Sequence, residues 1–349
     1  MTLWLTRDDL GAAAHAATGL LLVSPDVSSA VRLEPQDHSL TVQALREAGV
    51  GERDRVVVAL AEPAGALWAA AAADVASAAA DVGPRGRMRL HHALTALKAT
   101  TLVITPTGAM DFLARLHLEF LLDPLDLGLR NIILTGEIAS TRTMGHLAGE
   151  FESSVTEVFA GPFTGGALAW RASEEDPLTP LADGVLRVAS LTKDDAPDPA
   201  AELAELIITP PPGDAVLRTG LVTRLGGTGR EHGIPAPAHT VGDHVLVRGV
   251  WLALPRIEKA LSKIDGVAGW DLAISRQGTL DTATLTVTFS RASLVRNPMW
   301  KSRIQQAVHA LTPISINVEI AQDVSETPAP GTVNDLRGHH LGRDRALIT

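Results

Sequence analysis

Along the first 160 or so residues, short apolar runs alternate with stretches whose apolar positions recur at helical spacing. Leu20–Ser24 (L-L-L-V-S) and Ala30–Leu33 (A-V-R-L) are two such runs, and the P-D-V-S-S between them predicts a hairpin. Ser39–Gly49 carries Leu40, Val42 and Leu45 on a helical period, with Gly49 as its stop. Arg55–Leu60 (R-V-V-V-A-L) predicts a strand, and the alanine-rich stretch Ala64–Ala80 a buried helix. Further on, Leu90–Ala99, Asp111–Leu122 and Thr141–Phe151 read as helices. Between and after them, Thr101–Thr105, Asn131–Leu134 and Val155–Phe159 read as strands. Strands alternating with helices imply βαβ units, hence a mainly parallel sheet with helices on both faces.

After the polar stretch Ala172–Pro180 the pattern changes. Gly184–Ser190, Glu202–Thr209 and Ala215–Arg218 are strand-like with no helical period between them, which predicts an antiparallel subdomain. From Val245 a smaller unit follows. Val245–Val250 reads as a strand, Pro255–Ile264 as a helix, Trp270–Arg276 and Thr282–Phe289 as a strand pair, Pro298–Ala310 as a helix and Ile314–Ala321 as a last strand. That βαββαβ order suits an independent α+β lid. Glu326–Pro330 opens a tail rich in Arg and His, expected to be poorly ordered with its charges in solvent. The expected division is therefore a large domain over residues 1–242, a small one over 243–325 and a tail over 326–349.

A chain of 349 residues exceeds one ordinary core, in keeping with two domains at roughly 150 residues each. With 46% hydrophobic and 20% charged residues it is an ordinary globular sequence. A net charge of −10 argues against a nucleic-acid footprint. The absence of cysteine removes disulfides, thiolate metal sites and a thiol nucleophile. Acidic residues near the start do not fit a secretory signal, and the alanine-rich stretch is too weakly apolar for a membrane span, so a cytoplasmic location is expected. His91-His92 and His339-His340 are adjacent pairs whose rings diverge, and no third ligand is spaced to complete a site, so no metal is expected. A homo-oligomer is compatible with the sequence.

Three motifs carry chemistry. Leu217–Leu221 reads L-R-T-G-L, Gly226–Gly233 reads G-G-T-G-R-E-H-G, and Val245–Val250 reads V-L-V-R-G-V. Their order and spacing resemble the Y-R-T-G-D, G-R-T-H and V-R-G-V stretches of phenylacetate–coenzyme A ligases, a branch of the adenylate-forming (ANL) superfamily. On that resemblance Thr135–Glu137 (T-G-E) matches the turn beside adenine, placing Gly136 and Glu137 there. Thr156–Gly165 (T-E-V-F-A-G-P-F-T-G) matches the Y-D-x-Y-G-x-T-E motif. Glu157 then falls at the residue meeting the adenine amine, Phe159 at the aromatic, and Thr164 and Arg218 near phosphate and ribose. Asp243 falls at the hinge, and the acid would sit near Glu62–Trp68. The implied fold is an α/β large N-terminal domain, a mainly parallel sheet with helices plus an antiparallel subdomain, followed by the small α+β lid. The implied activity is ATP-dependent adenylation of a small carboxylic acid followed by thioester formation, with ATP/AMP, Mg²⁺ and coenzyme A as cofactors.

The chain departs from that pattern at four working positions. The ribose aspartate is Leu221, and the Mg²⁺ glutamate is Gly165. The phosphate loop is replaced by the glycine-free Ser24–Ser29, where Asp26 adds negative charge. The position of the family lysine is Thr332 and that of the family arginine Thr240; losing one preorganised cation of this kind costs ~10²–10³ in rate. The resemblance therefore implies either a diverged, impaired ligase or a non-catalytic paralogue that binds an acid, an acyl-CoA or a protein.

Overall fold

The computed structural model describes residues 3–24, 29–139, 142–161, 164–210, 213, 215–226, 233–312 and 314–348. It divides into two compact units, the first ending at Ala238 and the second beginning at His239.

The first unit opens with β1 (Leu3–Leu5), α1 (Arg7–Ala13) and the antiparallel hairpin β2 (Leu21–Val23) and β3 (Ala30–Arg32). The expected phosphate-loop replacement falls largely on 25–28, outside the described residues. Next come α2 (Pro35–Glu47), β4 (Arg55–Ala59), α3 (Ala64–Ala73), β5 (Ala78–Asp81), α4 (Arg87–Leu97), β6 (Thr101–Ile104) and α5 (Pro106–Arg115). The layer closes with β7 (Asn131–Leu134), α6 (Thr143–Phe151), β8 (Ser154–Ala160), β9 (Ala167–Arg171) and β10 (Thr179–Pro180).

These strands form one seven-stranded sheet in the order β10-β9-β8-β7-β6-β4-β5, parallel from β8 to β5 and antiparallel at β9 and β10. Successive residues of a strand face opposite sides, so apolar runs such as R-V-V-V-A bury both. Val57, Leu102, Ile104, Ile132 and Leu134 pack under α4, α5 and α6. Val56, Val58, Val103, Ile133 and Val158 pack under α2 and α3. The expected doubly covered parallel sheet is what the chain forms.

A second sheet follows the path β1-β13-β12-β11, built from β11 (Leu186–Ala189), β12 (Leu203–Ile208) and β13 (Ala215–Arg224). These three pair antiparallel, as expected, while β1 joins β13 in parallel. β14 (Pro237–Thr240) then carries the chain into the second unit.

The second unit starts with β15 (His244–Val247) and β16 (Val250–Ala253), followed by α7 (Leu254–Leu261), β17 (Val267–Gln277), β18 (Leu280–Phe289), α8 (Ala292–Val295), α9 (Pro298–His309), β19 (Ile316–Val324) and β20 (Thr332–Asp335). Its sheet runs β19-β18-β17-β20. Alternate residues of β18, among them Leu285, Val287 and Phe289, pack on Ile257 and Leu261 of α7 and Ile304 and Val308 of α9.

Four expectations are corrected. The alanine-rich helix ends at Ala73, and Ala78–Asp81 is a strand parallel to β4, because sheet pairing overrides the helical preference of alanine. The helix expected over Asp111–Leu122 starts earlier, at Pro106, where Thr105 accepts the Gly108 amide at 3.2 Å; it gives way to a π turn over Leu116–Phe120. V-L-V-R-G-V is not one strand. Arg248 and Gly249 both take left-handed conformations, φ 51° and 72°, and turn the chain into a tight hairpin. The tail is also not a solvated run: β20 pairs in parallel with β17, and the Arg337 side chain is buried between Asp335 and Asp281.

Candidate functional site

In a doubly wound sheet, ligands gather at the carboxyl ends of the parallel strands. Here those ends bring together four of the expected residues. Gly136 and Glu137 follow β7 directly, while Glu157 and Phe159 lie on β8, with Glu157 the register partner of Leu134. Gly136 is exposed and left-handed, φ +83°, as a sharp turn out of a strand requires.

The carboxylates at this edge are engaged by the chain itself. Both Glu137 oxygens take the Thr107 hydroxyl, at 2.8 and 2.6 Å, and Oε2 also accepts the Thr107 amide at 3.0 Å. Glu137 thus occupies the first turn of α5, where unpaired N–H groups and the helix dipole favour an anion. Glu174 does the same for α6, accepting the Met144 amide at 2.7 Å. Arg171 links the two strands of this edge. It donates to Glu157 at 2.7 Å and to the Glu174 carbonyl at 2.8 Å. Burial pushes the Glu157 carboxyl above its ordinary range, against the pull of the adjacent Arg171. Phe159 is 8% exposed and sits among core residues.

Past β8, the Thr164 hydroxyl donates to the Gly166 carbonyl at 3.0 Å. Gly165 and Gly166 lie tight against the hairpin and α2. A Cβ on Gly165 would stand 2.4 Å from Leu33 Cδ1 and 2.8 Å from Leu22 Cδ1, and one on Gly166 would stand 2.2 Å from the Asp37 carbonyl oxygen. Burial raises the Asp37 carboxyl, although the Glu34 and Gly165 amides donate to it.

Arg218 stands in the second sheet, and its guanidinium is fully committed. Nε and Nη2 donate to Asp194 at 3.2 and 2.9 Å, Nη2 to the Lys193 carbonyl at 2.6 Å, and Nη1 to the Ser190 carbonyl at 3.1 Å and to Glu205 at 2.6 Å. Those bonds use all five N–H groups of the fork. Glu205, wholly buried, also accepts the Gly220 amide at 2.8 Å, while the Thr219 hydroxyl closes on the Leu206 carbonyl at 2.7 Å. R-T-G-L is therefore a sheet irregularity held by a buried ion pair. Leu221 is 4% exposed, and no carboxylate occupies its position.

In the second unit, Asp243 accepts from Arg343 Nε at 2.6 Å, and its carbonyl accepts the Leu254 amide at 3.0 Å. Thr332 opens β20 opposite Asp271, and its hydroxyl donates to that carboxylate. Residues 227–232 of the glycine-rich loop lie outside the described residues.

Sequence reasoning missed Arg171, Glu174 and Glu205. A signal existed for the last. A lone acid within the apolar run L-A-E-L-I-I must be buried, and a buried carboxylate requires a cation or amide partner.

The donor set fits Mg²⁺·ATP poorly. Where the sequence resemblance would put a metal glutamate, a ribose aspartate and a lysine, the chain has Gly165, whose Cβ space is filled by two leucine methyls, the buried Leu221, and Thr332, a strand threonine bound to Asp271. Among the described residues, no helix is long and apolar enough to cross a membrane.

No family model matches the sequence, and the search of curated proteins finds no match. Solved structures do resemble the fold. One is 2-hydroxyisobutyryl-CoA ligase in complex with 2-HIB-AMP and CoA, with a TM-score of 0.75 at 17% identity over 95% of this chain and 80% of that one. A malonyl-CoA ligase with methylmalonyl-CoA and AMP bound scores 0.61 at 14% identity, over 88% of this chain and 71% of that one. The amide bond synthetase McbA from Marinactinospora thermotolerans scores 0.64 at 13% identity, over 88% and 66%. With a parallel sheet clothed on both faces, an antiparallel companion sheet and a small α+β unit, this chain has the fold of the adenylate-forming CoA ligases.

Proposed function

We propose that this chain is a non-catalytic relative of the phenylacetate–CoA ligase-like enzymes, one that binds a small carboxylic acid or its CoA thioester without activating it through Mg²⁺·ATP. The observation that carries this reading is Arg218. In an active enzyme of that pattern a guanidinium here would face ribose and phosphate, whereas all five of its N–H groups are taken by Glu205 of β12 and by Ser190, Lys193 and Asp194 of the loop before it. Leu221, Gly165 and Thr332 support it from three other positions, where a carboxylate, a metal ligand and a cation are each replaced by a group that cannot serve.

The active-ligase reading is favoured by one feature, the Gly136 turn, which leaves exposed backbone at the carboxyl end of β7 where an adenine would lie. Two measurements separate the readings. Pyrophosphate exchange with Mg²⁺·ATP over a panel of aryl and alkyl acids is expected to stay at background. Titration calorimetry is expected to show heat with an acid or acyl-CoA of the panel and none with millimolar Mg²⁺·ATP. Acid-dependent exchange above background would overturn the proposal in favour of a ligase, and silence with every acid and thioester would remove the ligand-binding role.

A further inference from the structure

On the face of the first sheet that carries α4, α5 and α6, the chain leaves α5 through the π turn Leu116–Phe120 and then makes a short 3₁₀ turn at Pro124–Leu127. Phe120, Leu122 and Leu127 are half-buried against the core beneath. Leu118 and Leu121 are left outside, 79% and 83% exposed, and Leu125 is exposed with them. Met88 of α4, also exposed, stands one turn before His91, whose ring lies 6.1 Å from that of Phe120. Single apolar residues on a surface need no account, but a group this dense does. Leu121 adds a second observation. It ends the π turn in the left-handed region, φ +53°, where a branched side chain is strained and glycine is the usual residue. A leucine held there gains almost nothing from this chain's own core, and such strain persists where a surface has a use.

Charge is divided across this strip. On one flank lies α4, packed over β4; the sequence has no carboxylate from Val82 to Met110, and Arg85, Arg89 and His92 are exposed. On the other flank the 3₁₀ turn packs beside α6, and Glu119, Asp123 and Asp126 are exposed. A two-fold axis through the leucines lays the basic flank of one copy along the acidic flank of the other, and does so twice. A nucleic acid or an anionic membrane would instead be repelled by the acidic flank.

We propose that two copies of this chain associate through this face, as an isologous dimer centred on Leu118 and Leu121 with α4 of each copy against residues 119–126 of the other. The inference goes beyond the proposed binding role and is independent of it: sedimentation reads the dimer, and calorimetry reads the acid or thioester.

The test is sedimentation velocity on the full chain at rising concentration. Wild type is expected to form a reversible dimer, and Leu118→Ser/Leu121→Ser to raise the dissociation constant at least ~100-fold through the loss of two buried leucines. Arg89→Glu and Asp126→Arg, each alone, should weaken self-association ~10-fold or more, because each sets like charges face to face at both contacts. Mixed with one another, these two charge variants should pair as tightly as wild type, since each supplies the charge the other lacks. All four substitutions fall at exposed positions, and circular dichroism checks that each variant is folded. Should the leucine variant not fold, the mixing experiment decides. A wild type that stays monomeric to ~100 µM, a dimer that survives the leucine variant, or charge variants that fail to pair on mixing would each overturn the proposal.

Discussion

Glu205, with no solvent exposure, accepts Arg218 Nη1 at 2.6 Å from the neighbouring strand, and the Trp4 ring covers that guanidinium at 4.9 Å. The pair ties three strands of the second sheet, since Trp4 is on β1, Glu205 on β12 and Arg218 on β13. Removing one partner strands a buried charge, at a typical cost of ~3–5 kcal/mol. Arg218→Ala is therefore expected to lower the unfolding free energy read from urea titration by about that amount, and Arg218→Met/Glu205→Leu by much less. Equal losses in the single and double variants would show that the pair is not what holds these strands.

Glu137 makes a second prediction. Its carboxylate satisfies the Thr107 amide and hydroxyl in the first turn of α5, and loss of such a cap costs ~1 kcal/mol. Glu137→Ala should lower the thermal midpoint by a few degrees, with Glu137→Gln retaining about half of the effect through its neutral carbonyl. An Ala variant as stable as wild type would mean the helix end finds solvent as good a partner.

How much of this was legible in the sequence depends on where each constraint lies. The parallel sheet was legible because R-V-V-V-A-L, T-L-V-I-T and N-I-I-L state their double burial locally. Gly136, Glu137, Glu157 and Phe159, singled out in the sequence by motif resemblance alone, fall together on adjacent strand ends. The commitment of Arg218 was not, since its partners come from Asp194, Glu205 and Trp4, spread across the chain. The hairpin at Arg248-Gly249 was hidden because V-L-V and V-W-L-A are both apolar, and only the positive φ values separate them. The tail misled because its charges look solvated until Asp281, far upstream, is seen to receive Arg337.

Gly165 and Gly166 give a graded expectation. A Cβ on Gly165 meets leucine methyls, which can move, whereas one on Gly166 meets the Asp37 main chain, which cannot without displacing α2. Overpacking usually costs ~1–3 kcal/mol, so Gly165→Ala should fall at the low end and Gly166→Ala at or above the high end. Gly165→Glu, which restores the carboxylate of the ligase pattern, should destabilise without producing pyrophosphate exchange. Exchange gained by that one substitution would show that a carboxylate at residue 165 can serve the chemistry despite the packing.

The last prediction concerns acid. Burial is the main force that lowers His340 from 6.5 to about 4; Asp335 and Asp243 oppose it and Arg337 and Arg343 assist it. Its Nε2 is buried with no hydrogen-bond partner, so a proton added there would find no acceptor. In the folded chain the ring is neutral between about 4 and 6.5, while in the unfolded chain it takes up a proton across that window. The unfolded state binds more protons there, so stability rises with pH through the window and is lost as pH falls from 6.5 towards 4. At about 1.4 kcal/mol for each tenfold change in proton affinity, lowering the pH from 7 to 4.5 should remove roughly 2–3 kcal/mol through this ring. Burial lowers His339 as well, which adds to the loss with the same sign. Urea titrations at the two pH values, on wild type and on His340→Gln, measure the difference directly. The variant should show a flatter dependence, and the same slope in both chains would mean that His340 is protonated in the folded state at no cost.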